Sequence, residues 1–213
     1  MIRAILIGVL LLAVPSIAVG GNVEIDLLSD AGSINPGSSF HVGLRMKIAP
    51  GWHVYWKNPG DSGLPPKIAW RLPKGFQAGP IEWPTPERFL EEELMTYGYH
   101  DEVILPVTIT PPGNIQTDSV TIAAAVTWLE CKDVCLPGSG SVRRTLPVSR
   151  GQAIAGPDGS LLTEATQKLP STPNGWAFEA EAGPRAIVLT FAPREGLRPR
   201  GAYLYLDQPM VTE

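Results

Sequence analysis

Residues 120–148 read VTIAAAVTWLECKDVCLPGSGSVRRTLPV, and the fold is decided here. Val120, Ile122, Ala124, Val126 and Trp128 share one side of an extended chain, a half-buried strand's period of two. Ser141–Val148 reads as the return strand. Cys131 and Cys135 lie between the two, followed by Pro137, Gly138 and Gly140. On a straight strand, residues four apart are separated by roughly 13 Å. A disulfide needs Cα atoms about 4.4–6.8 Å apart. A bond between these cysteines therefore requires a turn, which Pro137, Gly138 and Gly140 predict. The pair belongs at the tip of a hairpin.

The same alternation recurs outward from this hairpin. In FHVGLRMKI, Phe40, Val42, Leu44, Met46 and Ile48 face one way while His41, Arg45 and Lys47 face the other. Shorter cases are Val23–Leu27, Trp52–Trp56, Ile68–Leu72 and Val103–Thr110. Asn58–Gly60, Pro111–Gly113 and other Gly/Pro clusters punctuate them. About seven short strands without a sustained helical period predict an all-β, immunoglobulin-like β-sandwich over residues 21–150. No stretch has the strand–helix–strand rhythm of a thioredoxin fold. Residues 151–173, with a short helical patch at Leu161–Leu169, read as a linker. Alternation resumes at Trp176–Ala180, Ile187–Phe191 and Tyr203–Leu206. About forty residues bury little core alone, so residues 174–213 read as the start of a second β-rich region of a longer chain.

The first residues, MIRAILIGVLLLAVPSIAVGGN, combine Arg3, an uncharged apolar run from Ala4 to Val14, and small residues at Ala18 and Gly20. This is the pattern of a secretory signal peptide spanning residues 1–20, cleaved near Gly20/Gly21. The run is short for a bilayer span, and no later stretch is long and apolar enough to cross one. Cleavage removes a single charge, leaving 16 basic against 21 acidic residues, a net of −5 against −4 for the whole chain. This mild acidity, without a basic patch, argues against a nucleic-acid partner. The 22 Gly and 22 Pro fall between short apolar runs, as turns do.

Two cysteines in an exported chain ordinarily form one structural disulfide. The spacing here argues for a redox role instead. A bond closing so short a loop removes little entropy from the unfolded chain, and at an exposed tip it is open to attack. Lys132 favours a thiolate while Glu130 and Asp133 oppose one.

GWHVYWKNPGDSGLPPKIAW, then GYHDEVILPVTIT, then WLECKDVCLPG together resemble the N-terminal periplasmic domain of DsbD-type transmembrane thiol:disulfide reductases. The likeness is nearest to the branch associated with suppression of copper sensitivity, and it covers about residues 22–150. It implies an immunoglobulin-like domain that takes electrons from a thioredoxin-like donor domain. These pass to oxidised periplasmic proteins such as disulfide isomerases, making the chain part of a protein-disulfide reductase. It further implies that Cys135 forms the mixed disulfide with partners and Cys131 resolves it, with no cofactor and no metal. His53 and Tyr55 match the aromatic lining of the family's site. Glu91–Met95 is the nearest match to its cap loop, with Leu94 or Met95 as the shielding side chain. The chain is then either part of a larger inner-membrane reductase or a free-standing periplasmic relay.

Trp52, Trp56, Trp70, Trp83 and Trp128 are expected in core and rim packing. His53 is expected on a strand surface, His100 in a loop, and Glu91, Glu92 and Glu93 in a solvated loop. No phosphate-binding glycine loop, nucleophile elbow or HExxH occurs, so hydrolase and nucleotide chemistry lack support. Two other readings stay open. One is a Cu(I) site on the CxxxC thiols, with His53 or His100 as third ligand. The other is a non-catalytic interaction module with a structural disulfide.

Overall fold

A computed structural model describes residues 21–91, 93–171, 175–183, 186–193 and 203–207. The expected signal peptide at 1–20 lies outside the described residues. The expected alternation produces strands β1 (Val23–Ser29), β2 (Phe40–Ile48), β3 (His53–Gly60) and β4 (Lys67–Arg71), and three strands outside it follow, β5 (Gln77–Ile81), β6 (Glu87–Glu91) and β7 (Leu94–Tyr99). Then come β8 (Glu102–Thr110), β9 (Ser119–Cys131), β10 (Cys135–Pro147), helix α1 (Gly159–Gln167), β11 (Trp176–Ala182) and β12 (Ile187–Pro193).

One sheet runs β1-β2-β8-β5, and the other runs β10-β9-β3-β7-β6, with β4 also paired to β9. The pairings within both are antiparallel. The fold is therefore the all-β, immunoglobulin-like sandwich expected. Phe40, Val42, Leu44, Met46 and Ile48 on β2 meet Ile122, Ala124, Val126 and Trp128 on β9 in one apolar cluster, as their alternation requires. β9 has two neighbours along one edge. β4 pairs with Ala123–Thr127, and β3 reaches only the last two positions, with Val54 opposite Glu130 and His53 opposite Cys131. The cysteine end of β9 is thus held by β3, while its base is held by β4.

The hairpin turns between the cysteines as expected, but not through Pro137, Gly138 and Gly140. Pairing continues to Cys131 opposite Cys135, so only Lys132, Asp133 and Val134 connect the strands. Gly138 lies inside β10, opposite Trp128, and a Cβ there would stand 2.3 Å from the indole ring. The glycine makes room for the tryptophan rather than bending the chain. Pro137 is tolerated because β10 is the outermost strand of its sheet.

Residues 151–171, read from composition as linker, are docked on the domain. Gly32 N–H donates to the Ile154 carbonyl at 2.7 Å, and Ala31 bridges to Ala155. Leu162 and Ala165 of α1 are buried with Leu28 and Ile104, covering the outer face of the β1-β2-β8 sheet. The β11–β12 hairpin forms a separate two-stranded sheet. Tyr203–Leu206, expected as a strand, forms none; Tyr205 instead packs edge-on to Trp56 and Tyr97.

Candidate functional site

β3 decides the site because both of its faces are covered at the start. Val54 and Trp56 point into the sandwich core. His53 and Tyr55 alternate with them and point outward, yet His53 is only 4% exposed and Tyr55 only 1%. His53 is therefore not the surface histidine expected. What covers this second face is the cysteine hairpin and two neighbouring loops.

Cys131 lies opposite His53 in the β3–β9 register, and opposite residues share a face. It is bonded to Cys135, with the two Cα atoms 4.1 Å apart. The Tyr55 hydroxyl donates to Cys131 Sγ at 3.0 Å and stands 3.6 Å from Cys135 Sγ. The two cysteines differ in exposure. Cys131 is buried at 1% exposure, whereas Cys135 is exposed at the tip, between Val134 and Leu136, both also exposed.

Phe89 of β6 stacks on the His53 ring, with centroids 4.9 Å apart and planes 20° from parallel. His53 in turn meets Tyr55 edge-on at 5.1 Å. On the other side, Gly63, in the loop after β3, lies against the Tyr55 ring. A Cβ at this position would come within 2.3 Å of the ring, and the residue has φ +107°. Glycine meets both demands.

The Glu91–Met95 segment forms the tip of the β6–β7 hairpin, where Glu91 pairs with Leu94 and Leu90 with Met95. Glu92 and the Glu91 side chain lie outside what the structure describes. Leu94 is 48% exposed, and Met95 is half-buried. The Met95 backbone is clipped to Asp61, donating to its carboxylate at 2.8 Å and accepting from its N–H at 3.0 Å. The hairpin thereby holds the loop that carries Gly63. Phe89 escaped the sequence reading because it is one aromatic in an acidic run, two residues before the segment chosen as cap.

Glu130 points the opposite way from Cys131 and is 2% exposed. Its Oε1 accepts from the Asn22 N–H at 3.1 Å and from Asn22 Nδ2 at 2.9 Å, and its Oε2 accepts from Trp128 Nε1 at 2.9 Å. It is tied into the sandwich end rather than facing the sulfurs. Lys132 lies over Gly51, its Nζ 3.4 Å from where a Cβ would stand. His100 is held by Glu87 at 2.8 Å and meets the Phe89 ring edge-on. Among the described residues no group of three or more His, Cys, Asp or Glu stands ready to hold a metal ion.

A hairpin-tip disulfide between one buried and one exposed cysteine is consistent with thiol–disulfide exchange. The family profile of the N-terminal part of the thiol:disulfide interchange protein DsbD matches residues 28–147, more than half of the chain. The chain belongs to this DsbD N-terminal family. Among solved structures it is similar to the N-terminal periplasmic domain of ScsB from Proteus mirabilis. The TM-score is 0.61 and the identity 22%, over 86% of this chain and 68% of that one. That likeness establishes a shared fold. The sporulation control protein Spo0M from Bacillus subtilis aligns over 83% of this chain and 69% of its own, with 14% identity and a TM-score of 0.32. It is too distant to inform the site. No curated protein sequence matches the chain significantly. No helix among the described residues is long and apolar enough to cross a membrane.

Proposed function

We propose that this DsbD N-terminal domain works in the periplasm as a two-electron thiol–disulfide relay of the ScsB-like branch. It receives reducing equivalents from a thioredoxin-like domain and delivers them to an oxidised periplasmic protein of the disulfide-isomerase kind. The observation that carries this reading is the unequal exposure of the two cysteines, with Cys135 exposed at the tip and Cys131 buried under Tyr55.

In the receiving half, a donor thiolate attacks Cys135 Sγ, the sulfur a partner can reach. The Cys131–Cys135 bond breaks and Cys131 leaves as a thiolate, toward which the Tyr55 hydroxyl already donates. The donor's second thiol then attacks its own sulfur in the mixed disulfide. The donor departs oxidised, and the pair holds two electrons and two protons. In the delivering half, the Cys135 thiolate attacks the acceptor's disulfide. Cys131 then attacks Cys135 Sγ, restoring the internal bond and releasing the acceptor as a dithiol. His53 and Tyr55 line the site, and the β6–β7 hairpin, including Leu94 and Met95, shields it. Such a shield protects a thiolate from adventitious oxidation in an oxidising compartment.

The rest of the chain fits a modular arrangement. Residues 21–150 form the redox domain, 151–173 connect it, and 174–213 begin a second β-rich region. Phe178, Ile187, Val188 and Phe191 of the β11–β12 hairpin are exposed.

Single-cysteine variants test the relay. Cys131→Ser should accumulate a mixed disulfide with an oxidised partner through Cys135, and Cys135→Ser should accumulate none and abolish turnover. The reduction potential of the native pair should fall at roughly −120 to −270 mV, the range of exchange catalysts. A potential below about −300 mV, together with no trapped partner, would mark a passive bond and sink the proposal.

A further inference from the structure

Glu130 is a buried carboxylate one residue before Cys131, and no described cation pairs with it. Its three hydrogen bonds come from neutral donors, the Asn22 amide and side chain and the Trp128 indole. A buried charge left with neutral donors alone is costly unless an opposite charge approaches. Gly21 lies beside Glu130. A Cβ built on Gly21 would stand 3.3 Å from Glu130 Oε1, and among the described residues, beyond the chain neighbours, no other atom lies within 4 Å of that point. In an uncleaved chain the backbone nitrogen of Gly21 is a neutral amide.

We propose that removal of the signal peptide at Gly20/Gly21 creates the missing cation: the new α-ammonium of Gly21 pairs with Glu130 and latches the mature N-terminus to the cysteine end of the redox hairpin. The geometry is elementary. Nitrogen, Cβ and hydrogen are the substituents that turn about the Cα–C bond. Once the chain before Gly21 is gone, a rotation of about 120° about that bond carries the nitrogen onto the Cβ position, because N–Cα is about 1.46 Å, close to a carbon–carbon bond. There the ammonium lies at ion-pair distance from Oε1, and the space is open because residue 21 is glycine. An amine of ordinary pKa near 8 is protonated at neutral pH, more so beside a carboxylate. Hydrolysis of the Gly20–Gly21 peptide bond by the signal peptidase consumes one water and yields this amine and the Gly20 carboxylate, so no further reactant is needed.

The consequence is a processing-dependent step in assembling the site. Glu130 lies opposite Val54 of β3 and opposite Leu136 of β10, so a latch at Glu130 steadies both neighbours of the cysteine end of β9. The precursor, with an amide at this position, lacks it. The inference rests on the export reading but not on the direction of electron flow.

Mass spectrometry of the exported protein first locates the mature terminus. Gly21 is expected, and a different first residue overturns the processing link. Residues 21–213 are then prepared in three forms, with a free Gly21 amine, with that amine selectively acetylated, and with Gly20 retained. The free form should melt about 2–4 °C above the other two. In Glu130→Gln the three forms should melt together. Equal melting of the free and acetylated native forms overturns the latch, and that comparison holds even where Glu130→Gln fails to fold. A persistent difference in a folded Glu130→Gln protein overturns the assignment to Glu130. Relay failure would show in the trapping experiment, leaving these melting differences untouched.

Discussion

The two faces of β3 are buried to a similar degree by very different means. Inward, Val54 and Trp56 join an apolar cluster drawn from both sheets. Outward, His53 and Tyr55 are covered by the disulfide, by Phe89 from one hairpin and by the Gly63 loop. The inner cover cannot be removed without unfolding the domain. The outer cover is a thin layer on a hairpin whose tip is exposed, so it can open at lower free energy than the whole. The packed core and the disulfide are thus kept on opposite sides of one strand.

The largest effect should come from breaking the inner side. Trp56→Ala removes a 4%-exposed indole from the core and should destabilise the domain by about 3–5 kcal/mol in denaturant unfolding. A loss below about 1 kcal/mol would show that the inner face is not the structural one. Next is Tyr55→Phe, which keeps the ring and removes the donor to Cys131 Sγ. A hydrogen bond to a charged group is worth about 1.5–3 kcal/mol. Stopped-flow exchange with a small dithiol should therefore slow about ten-fold or more, while the melting temperature changes little. Unchanged exchange would remove Tyr55 from the chemistry. Smaller again is Phe89→Ala, which should cost about 1 kcal/mol of stability. It should also speed alkylation of the reduced cysteines several-fold, because it strips the stacking partner of His53. If alkylation is no faster, the hairpin is not a shield.

The inner side was far more legible than the outer. Alternation in β2, β8 and β9 shows which residues point to the core, because one face of an antiparallel sheet is normally solvated. The same rule misled at His53. A period of two assigns the histidine to the face opposite Val54, but not what lies over that face. Three long-range features supply the cover: the β9 register, the β6–β7 hairpin and the Gly63 loop. β6 and β7 were not foreseen, since ERFLEEELMTYGY mixes charge into a short run and carries little alternation. The turn falls between the cysteines as expected, but its residues were misassigned for a related reason. Gly138 is a glycine because of Trp128, ten positions earlier in the sequence but directly opposite in the ladder. The cysteine pair itself was legible because a spacing of four and a bond length leave few conformations. α1 was seen only as a helical patch, since its two buried side chains, Leu162 and Ala165, give no hint of the sheet they cover.

The smallest expected effect sharpens the comparison with a second tyrosine. Tyr99 on β7 lies opposite Val54 and belongs to the core side, as Tyr55 belongs to the sulfur side. Its hydroxyl donates to the Pro84 carbonyl at 2.8 Å, and burial pushes its ionisation well above the usual range. The folded-state pKa is raised, so the stability linked to Tyr99 is complete below the unfolded pKa, near 10, and declines as pH rises beyond it. At pH 7–9 Tyr99→Phe should therefore cost only about 1 kcal/mol, the net value of one hydrogen bond. Between pH 9 and 11 the native protein should lose stability more steeply than Tyr99→Phe, since the four other tyrosines are common to both. Denaturant unfolding at a series of pH values measures the two slopes. Parallel slopes would mean that the Tyr99 phenol reaches water without unfolding, and the inner face would then be as open to solvent as the outer one.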